Sequence, residues 1–178
     1  MGVLITVSGA NYTTNNVDQI DFKYLSNGAT AVSYNEATKK VSVSCVTPAN
    51  YEFACTKVRK PTIVKMATNS SVGANGVIIG LDASGNALFL YLSVSSGNIS
   101  NFKKTGLTSG ETNVYAMPSN LPNAPKGTFV TIEHTTTQIN ISYTGYTGSI
   151  LYSAIPSLVT KVVGVMATGS NPNIYDFK

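Results

Sequence analysis

The sequence predicts an all-β fold, a two-sheet antiparallel sandwich of the jelly-roll type with little helix, on three observations. Short apolar runs of about five to eight residues recur from end to end, separated by clusters of Gly, Asn, Ser, Thr and Pro. Ten Tyr and six Phe accompany abundant Val, Ile and Thr, residue types that suit a pleated, half-buried surface. No apolar pattern of period 3.6 persists long enough for a major helix. At 178 residues the chain fits one domain with a two-layer core. Residues 1–19 are expected to form either its first strand or an attachment arm, and residues 20–178 the sandwich itself.

The elements follow in order. Residues 3–8 alternate Val3, Ile5 and Val7 with Leu4, Thr6 and Ser8, after which GANYTTNN breaks the pattern with turn-prone residues. Strands are expected at 20–25, 29–34, 40–46, 51–57 and 62–67. If 40–46 and 51–57 form a hairpin around Pro48-Ala49-Asn50, Cys45 and Cys55 fall on one face. Either a cross-strand disulfide or two buried thiols would then satisfy the spacing.

The clearest hairpin joins 77–82 to 87–94 through Asp82-Ala83-Ser84-Gly85-Asn86. Both strands are apolar on both faces, which places them in the middle of a sheet. Leu88, Leu90 and Leu92 are expected in the core. Phe89 and Tyr91 then share the opposite face, where they are either covered by a loop or offered as an aromatic shelf to a sugar ring or partner surface. Strands at 98–103 and 113–116 precede SNLPNAPKG, a Pro-rich stretch that cannot pair in a central strand and reads as a surface loop.

Beyond it, strands are expected at 128–134 and 138–143, where Ile139, Ile141 and Tyr143 alternate with Asn140 and Ser142. A Thr-Gly-Tyr-Thr-Gly turn returns the chain to a strand at 149–154. A single helical turn around Ala154-Ile155-Pro156-Ser157-Leu158 suits Pro156 at a first-turn position. Strands at 161–168 and 173–178 close the chain.

Charge narrows the function classes. Only 11% of residues are charged, and the net charge of +4 is spread thinly, with Lys57, Arg59, Lys60 and Lys65 its densest stretch. A phosphate-tracking surface needs more such charge on one face, so no nucleic-acid partner is expected. No apolar run spans a bilayer and the opening residues do not form a signal peptide, so neither a membrane nor a secretory route is expected.

The chemistry-bearing residues are sparse. Of the eight carboxylates, Glu133 is the best candidate for glycan hydrolysis, yet it has no carboxylate two residues away on its strand. His134 is the only histidine, which rules out a two-histidine metal site, and no G-x-S-x-G elbow accompanies it. Asp82 and Asn86 could offer oxygen ligands to calcium, but with one carboxylate between them. No catalytic constellation, metal or cofactor is expected.

From about residue 60 onward the layout resembles the concanavalin A-like, laminin G-type jelly-roll sandwiches. The resemblance rests on the strand before the D-x-S-G-N turn at 82–86, on FVTIEHTTTQINISY, on the hairpin after it, and on the closing VVGVMATGSNPNIYDFK. In that family a strand of the form G-V-x-A is followed by a short loop and an aromatic-rich last strand, as Gly164-Val165-Met166-Ala167 and Ile174-Tyr175-Asp176-Phe177 are here. The metal loop of legume-type lectins and the galectin pattern are not matched, and the chain has no Trp.

The opening ITVSGANYTTNNVDQIDF looks like the leaders of bacteriophage fibre proteins. Together these resemblances imply a non-enzymatic structural or adhesive module of a phage virion surface, made in the host cytoplasm. Its partners would be copies of itself, other virion proteins and host glycans. One alternative is a self-standing carbohydrate-binding module using Phe89, Tyr91, Tyr143 and Tyr146. The other is a glycan hydrolase or lyase using Glu133.

Overall fold

Alternation of apolar and polar side chains with period two needs a sheet with one dry face, and two such sheets bury their dry faces against each other. The computed structural model describes residues 3–7, 10–14, 22–25, 32–35, 37–45, 50–57, 62–65, 75–92, 99–107, 110–118, 121–124, 127–168 and 173–177. Its strands are β1 (Val3–Val7), β2 (Ala10–Thr14), β3 (Phe22–Leu25), β4 (Val32–Asn35), β5 (Lys40–Val43), β6 (Glu52–Lys57), β7 (Thr62–Lys65) and β8 (Asn75–Leu81). They continue with β9 (Ala87–Leu92), β10 (Ile99–Thr105), β11 (Thr112–Tyr115), β12 (Phe129–His134), β13 (Gln138–Tyr143), β14 (Tyr146–Leu151), β15 (Val162–Ala167) and β16 (Asn173–Phe177).

One sheet has nine strands in the order β1-β2-β3-β6-β15-β8-β9-β10-β11, and the other has seven in the order β14-β13-β12-β7-β16-β5-β4. Neighbouring strands run antiparallel throughout, so the fold is the expected all-β sandwich. No described helix is long and apolar enough to cross a membrane.

The interior between the sheets is built from alternate positions of each strand. Val77, Ile79, Leu88, Leu90, Val163 and Val165 from the nine-stranded sheet meet Val41, Val64, Val130, Ile132, Ile139 and Ile141 from the seven-stranded one. Tyr175 is wholly buried in the centre, and its hydroxyl donates to the Met166 carbonyl at 2.8 Å, a polar strut from β16 to β15. Burial pushes its phenol well above the usual tyrosine range.

At its centre, across β6, β15, β8 and β9, the nine-stranded sheet is dry on its other face too. Phe53, Cys55, Ile78, Phe89 and Met166 form a second apolar cluster there, with Tyr51, Tyr91 and Leu107 packed against it. The strands of the 82–86 hairpin are therefore apolar on both faces because both faces are covered.

Several expectations need correcting. The segment after residue 8, read as pattern-breaking, contains strand β2, which pairs with both β1 and β3. Residues 15–21 lie outside the described residues. β5 and β6 do not form a hairpin: β5 pairs with β4 and β16, while β6 joins β3 and β15 in the other sheet. Cys45 and Cys55 are consequently separate buried thiols. The Cys45 thiol shares its single proton between the carbonyls of Asn50 and Ala167, at 2.8 and 2.9 Å.

The turn after β13 is two residues, Thr144-Gly145, with Gly145 at φ +80°, so Tyr146 already belongs to the returning strand. Among the described residues the one helical turn is a 3₁₀ turn at Tyr152–Ala154, ahead of Pro156 rather than on it. Buried Ile155 ends it, with its N–H bonded to the Tyr152 carbonyl at 3.1 Å.

Candidate functional site

The outer face of the seven-stranded sheet is wet, and across β12, β13 and β14 it forms a groove of about 530 Å³. Its floor follows from the strand register. Thr131 lies opposite Ser142, and Ser142 opposite Thr147; Glu133 lies opposite Asn140, and Asn140 opposite Ser149. Because Ile139, Ile141 and Ile150 turn into the core, these partners on alternate positions turn out.

Three side chains form a relay along the floor. The Asn140 amide donates from Nδ2 to Glu133 Oε2 at 2.7 Å, and its Oδ1 accepts from Gln138 Nε2 at 2.7 Å. An ionised carboxylate only accepts, so Glu133 fixes which way the Asn140 amide faces, and Asn140 in turn fixes Gln138. What remains on the floor is a mixed set of donors and acceptors: amide groups of Asn140 and Gln138, one Glu133 oxygen, and the hydroxyls of Thr131, Ser142, Thr147 and Ser149. Phe129, with Lys65 5.5 Å from its ring, and Leu151 are exposed beyond the two ends of this polar floor.

The aromatic residues singled out in the sequence do not form a shared platform. Phe89 is completely buried, its ring lying across Gly76 beside Met166, so it presents nothing to a ligand. Tyr143 points into the core and donates to the Pro122 carbonyl at 3.1 Å. Burial, with a smaller contribution from Tyr146, pushes its phenol to about 12. Tyr146, 5.2 Å from Tyr143 between ring centroids, faces the same way, its hydroxyl lying over Gly148.

Tyr91 is half-buried, as Tyr146 is, but lies on the far sheet, with Lys103 Nζ 4.1 Å from its ring centre. Lys103 is ion-paired to Glu111 at 2.7 Å, and Glu111 accepts a long bond from Tyr51 at 3.3 Å. Tyr51 is pushed up to about 12, first by burial and then by that carboxylate. The face of Tyr91 that would stack on a sugar is thus taken by a lysine.

Asp82 organises the 82–86 turn. Its Oδ1 accepts the backbone N–H groups of Ser84 and Asn86, both at 2.9 Å, and its Oδ2 accepts from Asn86 Nδ2 at 2.8 Å, with Lys104 at 3.4 Å. Burial pushes this carboxyl up, but the hydrogen bonds from Asn86 and Ser84, helped by Lys104, outweigh burial and hold it below the usual carboxylate range. Its lone pairs are committed to the turn. Among the described residues no group of three His, Cys, Asp or Glu side chains is placed to hold a metal.

His134, at the end of β12, turns inward as a strut between the sheets. Its Nδ1 lies 3.0 Å from the Tyr152 hydroxyl, with the rings stacked at 6.1 Å, and that hydroxyl donates on to the Thr135 carbonyl at 3.1 Å. Its Nε2 is buried toward the backbone of Val162 and Ile79 without a hydrogen bond of ordinary geometry. Burial holds the imidazole below its usual range; those backbone groups oppose the shift, and Lys161 adds to it.

A histidine held low in the folded state favours folding while neutral and opposes it once protonated. Stability is therefore expected in full above about pH 6.5 and to fall as the pH drops through the lowered folded value. Melting temperatures measured between about pH 7 and pH 5 should decline in the wild type, and the slope should flatten in His134→Gln.

No protein-family model matches the chain, and no curated protein matches it. Among solved structures it is similar to the SPRY domain of human HERC1. That likeness has 11% sequence identity and a TM-score of 0.45, and covers 83% of this chain and 92% of that one.

Sequence reasoning named Glu133 and Asn140 separately and missed their pairing. The signal was present as alternate polar positions on three successive strands, Thr131/Glu133, Gln138/Asn140/Ser142 and Thr147/Ser149. Only the cross-strand register turns those three rows into one floor.

Proposed function

We propose that the protein is a non-enzymatic adhesive module that binds a neutral, polyhydroxylated ligand, a glycan, on the outer face of β12–β14. The observation that carries this reading is the Glu133–Asn140–Gln138 relay set among four Ser and Thr hydroxyls. Sugar hydroxyls both donate and accept, and a floor that fixes amide orientation while leaving both kinds of group free is matched to them. Glu133 is the only ionisable side chain among the described lining residues, which disfavours an acidic sugar. The charge-poor, Ser/Thr/Asn-rich composition supports a place on a virion surface, where repetition multiplies weak single sites.

The test is a glycan array probed with the protein displayed multivalently. Binding to neutral glycans is expected, and Asn140→Ala should weaken it about tenfold to a hundredfold, because one partner of a charge-assisted relay is removed. Equal binding by wild type and Asn140→Ala would overturn the assignment to this face. A hydrolase reading is the second possibility, because Glu133 lies in the same groove. It requires glycan turnover that Glu133→Gln abolishes, whereas the adhesive reading predicts no turnover in either protein.

A further inference from the structure

We infer that two copies of this chain join edge to edge along β14, antiparallel about a two-fold axis through Ser149, extending the seven-stranded sheet across both molecules. β14 is an outermost strand, and among the described residues its six-residue length exceeds that of β1, β4 and β11, the other sheet edges. In the two-residue hairpin the mutual backbone bonds fall at Tyr143/Tyr146 and every second pair beyond, a phase that the Tyr152 N–H to Thr137 carbonyl bond at 3.0 Å continues. The N–H and C=O groups of Tyr146, Gly148 and Ile150 therefore face β13, and those of Thr147, Ser149 and Leu151 point away from the sheet. All three of those side chains are exposed, Leu151 at 53%.

Soluble β proteins usually protect such an edge with a charge, a proline, a bulge or a short strand. β14, Tyr-Thr-Gly-Ser-Ile-Leu, carries no charge or proline, and its register with β13 is unbroken over all six residues. Its outward groups also select the occupant. Pairing odd positions with odd positions sets Ser149 opposite itself and Thr147 opposite Leu151 of the second copy. Each copy then covers the other's exposed leucine, no like charges meet, and about six backbone hydrogen bonds can form across the seam. The two polar grooves become neighbours on one continuous face, each with Ser149 at its margin.

The test reads mass with no ligand present, so it is independent of glycan binding. Sedimentation equilibrium from micromolar to millimolar concentration is expected to show a dimer for the wild type. Ser149→Lys and Ser149→Asp should each be monomeric, because like charges would oppose each other on the axis, and an equimolar mixture of the two should recover the dimer. Ser149→Pro serves as a second variant: it removes an outward N–H not used within the chain, so it is expected to keep the wild-type circular dichroism spectrum and lose the dimer. A monomeric wild type overturns the inference, as does a dimer that persists in all the variants.

Discussion

Phe89→Ala is expected to destabilise the fold by about 3–5 kcal/mol, the cost of removing a wholly buried aromatic side chain. For a domain of this size that lowers the melting temperature by roughly 6–20 °C. Tyr91→Ala, two residues along the same strand face, removes a half-buried ring that Lys103 covers, and should cost well under half as much. Thermal denaturation of the two variants side by side separates them. Equal, small effects would mean that the outer face of the nine-stranded sheet is open, and that Phe89 belongs to a surface shelf after all.

Gly164→Ala is expected to have the other large effect, at or above the roughly 3 kcal/mol upper end of overpacking costs. Gly164 sits mid-strand in β15, directly opposite Cys55 on β6 and Ile78 on β8. An added Cβ would collide with the Ala54 carbonyl and would approach Cys55 Cα and Cβ to 2.7 and 2.8 Å. Two of those three obstructing atoms are backbone of β6, held by its pairing with β3 on one side and β15 on the other, and they cannot move aside independently. Little soluble folded protein should be recovered. Gly110→Ala is the control, since a Cβ there meets nothing within 4 Å, and it should melt with the wild type.

These two positions also show what could be read from the sequence. The run Val163-Gly164-Val165-Met166-Ala167 was readable as part of a late strand, but the reason for its glycine was not: it is the close approach of β6, a strand more than a hundred residues earlier. The 82–86 turn was readable down to its residues, because Asp82, Gly85 and Asn86 interact within five positions. The alternation of Ile139 and Ile141 with Asn140 and Ser142 was readable for the same local reason, a strict period of two, whereas Tyr143, offered as a ligand-binding residue, continues the inward set.

What was not readable depends on which sheet a strand joins. Cys45 and Cys55 were placed across a hairpin because neighbours in sequence usually pair, but the chain crosses between sheets after β5 and puts the thiols in different layers. Phe89 was left either covered or offered to a ligand because nothing local says that Tyr51 and Leu107 pack against the outer face. Tyr146 was placed in a five-residue turn, whereas the left-handed Gly145 makes the turn in two residues and turns that side chain inward. The groove itself depends on Glu133 and Asn140 meeting across seven residues of chain, which register decides and composition does not.

The most direct measurement is a map of backbone amide chemical-shift changes as a neutral oligosaccharide selected from the array is titrated into the protein. Changes concentrated at Thr131, Glu133, Gln138, Asn140, Ser142 and residues 147–149 are the result predicted for glycan binding on the outer face of β12–β14. Changes concentrated instead around Tyr51, Tyr91 and Lys103, on the opposite sheet, would contradict it.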